Sequence, residues 1–167
     1  MPINDALLPE FDQEMARTRR LLERVPDEKA AWTPQEKSRS LGALASHLAD
    51  IPGRMGSSLN QESLDFAPVE GREPLRGWSS REEALTRFDQ GVVAARANLA
   101  SNDDESYRRS WSLKRAGKVL FTMPRAAMVR NFILSHSIHH RGQLTVYLRL
   151  VGVPLPGTYG PSADEGM

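Results

Sequence analysis

The chain contains no cysteine. Disulfides, thiolate metal ligands and a cysteine nucleophile are therefore excluded, and any thiol chemistry has to arrive with a substrate. Long apolar runs are absent as well: no window reaches the about 18 uninterrupted apolar residues that a membrane-crossing helix needs. No N-terminal stretch joins a basic start to an apolar run, so no secretory signal is expected, and a cytoplasmic protein is the default. Charge of one sign is not in excess either. Lys and Arg number 22 against 21 Asp and Glu, a net charge of +1. That argues against a nucleic-acid partner, because such proteins carry a concentrated basic face. Internal repeats and low-complexity tracts are lacking.

What is present is an ordinary globular composition over 167 residues, 40% hydrophobic and 26% charged. A single domain covering 1–167 is long enough to bury a core. Four segments show helical periodicity. In the first, Leu8, Phe11, Met15, Leu22 and Val25 recur at threes and fours with Thr18 in the gap; Pro9 suits a first-turn position and Pro26 ends the run. The second carries Leu41, Leu44, Leu48, Ile51, Met55 and Leu59. Pro52 lies inside it and is expected to bend the helix, because its ring clashes with the Leu48 carbonyl.

A third helix is predicted to start at "SSREE", with Ser79 and Glu82 as a capping box and a stripe of Leu85, Phe88, Val92, Ala95 and Leu99. The fourth is predicted from near Pro124 to about Val151, stopping before "GVPLP". Four amphipathic helices point to an all-α four-helix bundle. Between helices three and four, "SWSLKRAGKVLFTM" reads as a short hairpin turning at Ala116-Gly117. The connection between helices two and three, rich in Pro, Gly and Glu, is long enough to cross the bundle, so strict up-down-up-down order is not required.

Three of the four histidines fall within five positions, in "SHSIHHRG". On a wheel centred on His136, His140 falls at about 40° and His139 at about −60°. Phe132, Ile133, Leu144, Tyr147, Leu150 and Val151 make an apolar arc around His140, with His139 at its edge. Arg130, Arg141 and Arg149 fall on the outer side, where solvent-facing charges are expected. The i,i+4 pair His136/His140 is the spacing by which one helix offers two nitrogens to one ion. An i,i+3 pair of His136 and His139 is the rival, but it would pull the ion off the apolar face. His47, beside the Leu44/Leu48/Ile51 stripe, can face the same interior. Buried imidazoles are also common as hydrogen-bonded core residues. Without partners, however, each would cost a few kcal/mol of desolvation.

"SHSIHHRGQLTVYLRLVGVPLPGTYGPSADE", preceded by "LGALASHLADIP" and "AWTP" and opened by "LLPEFDQEMARTRRLLERVPDEK", closely resembles the DinB family of the DinB/YfiT-like superfamily over the full chain. The resemblance implies an up-down-down-up four-helix bundle and a homodimer. It also implies a divalent ion, usually nickel or zinc, held by His47, His136 and His140. Superfamily relatives include thiol-dependent S-transferases, which implies a small thiol as cosubstrate.

Three neutral imidazoles leave a coordination position open, the catalytic arrangement, and suit zinc, nickel, copper or iron. An ion so held acts on a small-molecule substrate as a Lewis acid. A metal-dependent hydrolase and a non-catalytic metal- or ligand-binding stress-response protein are the alternatives. Among other residues, Asp50 is a candidate general base or, more simply, a surface acid ahead of Pro52. Gln143 is placed to touch a ligating histidine, His139 to lie near the site without ligating, and Tyr159 to close over it from the tail. Trp32 and Trp111 read as loop anchors over the bundle ends.

Overall fold

The computed structural model describes residues 1–66 and 77–165. Helices dominate: α1 (Ile3–Leu22), α2 (Leu41–Ser58), α3 (Arg81–Ala100), the short α4 (Asp104–Arg108), then α5 (Arg125–Met128), a π-helical stretch (Val129–Ser135) and α6 (His136–Leu150) in unbroken succession. α2 packs on α3 and α6, and α1 packs on the same two. Leu, Ile, Val, Met and Phe side chains from all four fill one continuous core. The expectation of an all-α chain needs correcting, because a three-stranded sheet sits beside these helices. Its order is β1 (Ser63–Asp65), β2 (Ser110–Arg115) and β3 (Lys118–Pro124), parallel between β1 and β2 and antiparallel between β2 and β3.

The hairpin turns where it was expected. Ala116 and Gly117 both take positive φ, 50° and 76°, as the tight turn that matches strand twist requires. Asp65 ties β1 to this turn, its carboxylate accepting the N–H groups of Ala116 at 3.0 Å and Gly117 at 2.7 Å. Of the long connection between α2 and α3, residues 67–76 lie outside the described residues.

Helix boundaries differ from the sequence reading in two instructive places. α1 starts at Ile3, so Pro9 lies inside the helix rather than in its first turn. The early start is fixed from afar: the Asp104 carboxylate accepts the Ile3 N–H at 2.7 Å, satisfying a donor that a helix end leaves orphaned. The cap of α3 is shifted by one residue. Ser80 Oγ accepts the Glu83 N–H at 3.1 Å, and Ser79 instead bonds the Glu83 carboxylate. α6 ends as the sequence implies, with Gly152 at φ 80° and the Val153 N–H returning to the Leu148 carbonyl at 3.0 Å.

Two features set where the histidine-bearing helices lie. α2 and α3 cross at backbone contact, since a Cβ on Gly91 would stand 2.7 Å from the Gly53 nitrogen. Pro52 is accommodated at this crossing, buried. On the other side, Trp111 is no loop anchor: it is a fully buried strand residue whose indole N–H reaches the Ser58 carbonyl at 3.2 Å and whose ring meets Phe132 at 5.9 Å. Trp32 is half-buried, edge-on to Tyr147 at 5.7 Å.

Candidate metal centre

His47 projects from the middle of α2, and His136 and His140 from the first turns of α6. Their Nε2 atoms converge: His47 to His136 is 3.2 Å, His47 to His140 3.1 Å and His136 to His140 2.8 Å. Three nitrogens bound to one divalent ion at ordinary metal–nitrogen lengths stand about 2.9–3.4 Å apart, so the set fits an ion with little adjustment. His140 supplies a second indication. Its Nδ1–H donates to the Gln143 amide oxygen at 2.7 Å, which leaves Nε2 as a bare lone pair aimed at the other two rings. A second hydrogen bond of this kind commonly fixes the tautomer of a ligating histidine. A cation among the three nitrogens would satisfy them together. Among the described residues, this is the one group of at least three metal-ligating side chains so placed.

The rings are held neutral at neutral pH. Burial, reinforced by the charges of His140, Arg39, His136 and Arg54, pushes His47 down to about 3. His136 is lowered chiefly by burial and then by His140 and His139, against the opposing pull of the Phe132 carbonyl. That carbonyl is not at hydrogen-bonding geometry, and His136 Nδ1 is buried without a partner. Burial also lowers His140, with the Gln143 bond working the other way. Neutral imidazoles are the form that binds metal.

His139 stays outside the cluster. It is exposed, with its ring edge-on to His140 at 4.8 Å. Asp50 is not a surface acid. It is largely buried, 3.1 Å from the Arg87 guanidinium of α3, and lines the same cavity as His47. Tyr159 does not close over the histidines. Its hydroxyl donates to Glu14 Oε2 at 2.7 Å and accepts from Arg141 Nη2 at 2.5 Å, pinning the tail to α1 and α6.

Arg141 is the main correction to the wheel. The wheel puts it on the outer side, yet it is 2% exposed, while Val146 and Leu150 face solvent. The buried face of α6 runs Ser137, Arg141, Leu144 and Leu148, so His136 and His140 flank the core half-buried instead of occupying its centre. Upstream of His136, the π-helical stretch changes the angle per residue and invalidates a 100° extrapolation.

The centre opens onto a cavity of about 510 Å³, walled by α2, the β1–β2 edge of the sheet and Phe132, with His47 and His136 in its lining. That is the size of a small-molecule site. Fold and site together define a class: a mostly helical protein whose long helices bring three imidazoles to one point beside a small-molecule-sized cleft. The sequence model of the DinB family matches residues 1–166, and the chain belongs to that family. The uncharacterized protein YrdA of Bacillus subtilis (strain 168) is 26% identical over 165 residues, covering 96% of this chain and 90% of that protein. A DinB-like protein of Bacillus cereus ATCC 10987 superposes with a TM-score of 0.73 at 21% identity, over 95% of this chain and 98% of that one. Another, from Bacillus subtilis, gives 0.67 at 18%, over 96% and 99%. These structural likenesses show the fold.

Proposed function

We propose that this protein is a metal-dependent enzyme that holds a divalent ion, zinc or nickel, on His47, His136 and His140 and acts as a thiol-dependent S-transferase. The observation that carries the reading is the meeting of three Nε2 atoms within 3.2 Å at the wall of a cavity sized for a small molecule. An ion there supplies Lewis acidity, which lowers the pKa of a thiol or water brought to it. The protein's own residues do the rest. Gln143 holds the His140 proton at Nδ1, burial keeps the rings uncharged, and the apolar wall of Ile51, Leu64 and Phe132 limits water around a bound thiol. Because the chain has no cysteine, the thiol of such a reaction comes from outside. Asp50, already facing Arg87, is poorly placed as a free base for hydrolysis.

The ring of long helices supports reading the fold as the up-down-down-up bundle of the family. We also read the protein as a homodimer without a nucleic-acid partner. The exposed apolar Val119, Leu120 and Phe121 of β3 and the net charge of +1 support those two points. No helix of the described residues is long and apolar enough to cross a membrane.

The test is to incubate metal-loaded protein with small thiols and electrophiles. Turnover that needs both metal and thiol supports the transferase. Turnover with metal and water alone favours a hydrolase, and no turnover across a broad panel favours a non-catalytic binding protein.

A further inference from the structure

The cavity beside the histidines has two unlike ends joined by an apolar middle. His47, Ile51 and Arg54 share the face of α2 that lines it, at spacings of four and then three residues. Arg54 lies two turns beyond His47, about 10 Å along the helix axis. Between the ends, Ile51 and Met55 of α2 face Leu64, Leu113 and Phe132 from across the cleft.

The charge pattern along this face is uneven. Asp50 contributes a carboxylate, but the Arg87 guanidinium stands 3.1 Å from it. Arg54 is exposed at the mouth, and among the described residues its guanidinium has no carboxylate partner. Ser57 and Gln61 line the same end; the Ser57 hydroxyl donates to the Arg54 carbonyl at 2.9 Å. An arginine that meets no carboxylate among the described residues, set over an apolar cleft, offers a fork of donors there, and carboxylates or other oxyanions match that fork bidentately.

We infer that the cavity binds an amphipathic anion: an apolar body lying along Ile51, Leu64 and Phe132, with an acid group at Arg54 and its far end toward the histidines. The inference shares its cavity with the proposed function, but the anion end does not depend on a metal. An ion on the histidines adds a second anchor for ligands that carry a donor atom at the far end. The proposed thiol cosubstrate, or its acceptor, is then an acid and not a neutral molecule.

The probes are 4-phenylbutanoate and its neutral counterpart 4-phenylbutanol. Calorimetry measures both on chelator-treated and on zinc-loaded full-length protein, with bound zinc assayed separately. The acid is expected to bind at least about ten-fold more tightly than the alcohol in the chelator-treated protein. Arg54→Gln should reduce that ratio to within about three-fold while leaving alcohol binding intact, and Arg54→Lys should restore part of it. Arg39 acts on the histidines through its charge but does not line the cavity. Arg39→Gln should therefore leave the ratio within about three-fold of its original value. Equal binding of acid and alcohol, or equal losses in the Arg54 and Arg39 variants, would overturn the inference. So would a preference for the acid that appears only with zinc and survives Arg54→Gln, since the carboxylate would then sit on the ion. Failure to take up zinc, with the Arg54-dependent preference intact, would count against the metal reading alone.

Discussion

Arg141 Nη2 lies 2.6 Å from Glu14 Oε2, and the two residues are 2% and 4% exposed. An ion pair this deep ties α6 to α1 immediately next to His140. The surrounding bonds are nearly complete: Arg141 also donates to the Glu14 carbonyl at 3.0 Å, Arg17 reaches the second carboxylate oxygen of Glu14 at 2.6 Å, and Tyr159 bridges both partners. Breaking such a pair from one side leaves a buried charge without compensation, whereas replacing both sides with apolar groups does not. Glu14→Ala is accordingly expected to lower unfolding free energy by about 3–5 kcal/mol. The double variant Glu14→Leu/Arg141→Met should recover most of that. Denaturant unfolding of the single and double variants measures both, and a double variant no better than Glu14→Ala would show that the pair is not the cause.

The same carboxylate gives an acid limb of known sign. Burial raises the Glu14 pKa, but the Tyr159 and Arg141 hydrogen bonds and the Arg141 and Arg17 charges outweigh it, so the folded value lies below the ordinary 4.5. Protons therefore bind the unfolded chain more readily in that window, and stability falls with falling pH. Glu14's contribution is complete above about pH 4.5 and is lost as the pH drops through its lowered folded pKa. Subtracting the stability profile of Glu14→Gln from that of the wild type should leave a difference that shrinks on acidification below about pH 4.5. A difference that grows there would refute the sign.

How legible this was depended on the range of the interaction. The i,i+4 pair of His136 and His140 and the stripe that carries His47 are local periodicities, so the three convergent residues could be picked out before their distances were known. The Ala116-Gly117 turn was legible for the same reason, since a glycine-containing pair between two short strand-like runs marks a hairpin. Asp104 capping α1 over 101 residues, Asp65 holding the hairpin turn, and β1 with three residues leave no periodic trace. Arg141 escapes the wheel because a charged side chain ordinarily faces water. The signal was nonetheless present: Glu14 sits on the α1 stripe with Phe11, Met15 and Thr18, and Arg141 on that of Ser137, Leu144 and Leu148. Opposite charges on two core faces point to each other.

Removal of metal should be visible in stability. An ion that binds only the folded state raises its apparent stability by about 2.7 kcal/mol at a hundred times its dissociation constant. Treatment of metal-replete protein with a strong chelator at neutral pH is expected to lower Tm, with a smaller drop in acid, where protons already compete for the imidazoles. Differential scanning calorimetry with parallel metal assay decides it. Protein shown to contain metal whose Tm ignores chelation would exclude a reversible site.

The assignment of ligands is testable residue by residue. His47, His136 and His140 present Nε2 atoms to one point, while His139 is exposed and touches only the edge of His140. Alanine at any of the three should leave the purified protein without metal, and His139→Ala should keep near-stoichiometric metal. Gln143 gives a finer test, because it accepts the His140 Nδ1 proton without touching the ion's position. Losing such a partner typically weakens metal affinity about 10–100-fold, which a competition titration resolves. Gln143→Ala should therefore bind metal more weakly at neutral pH but still saturate, and Gln143→Glu, which keeps an acceptor, should bind better than alanine. Gln143→Ala with wild-type affinity would mean that the Nδ1 bond does not orient the ring. A metal-replete His140→Ala beside a metal-free His139→Ala would move the site to the His136/His139 pair.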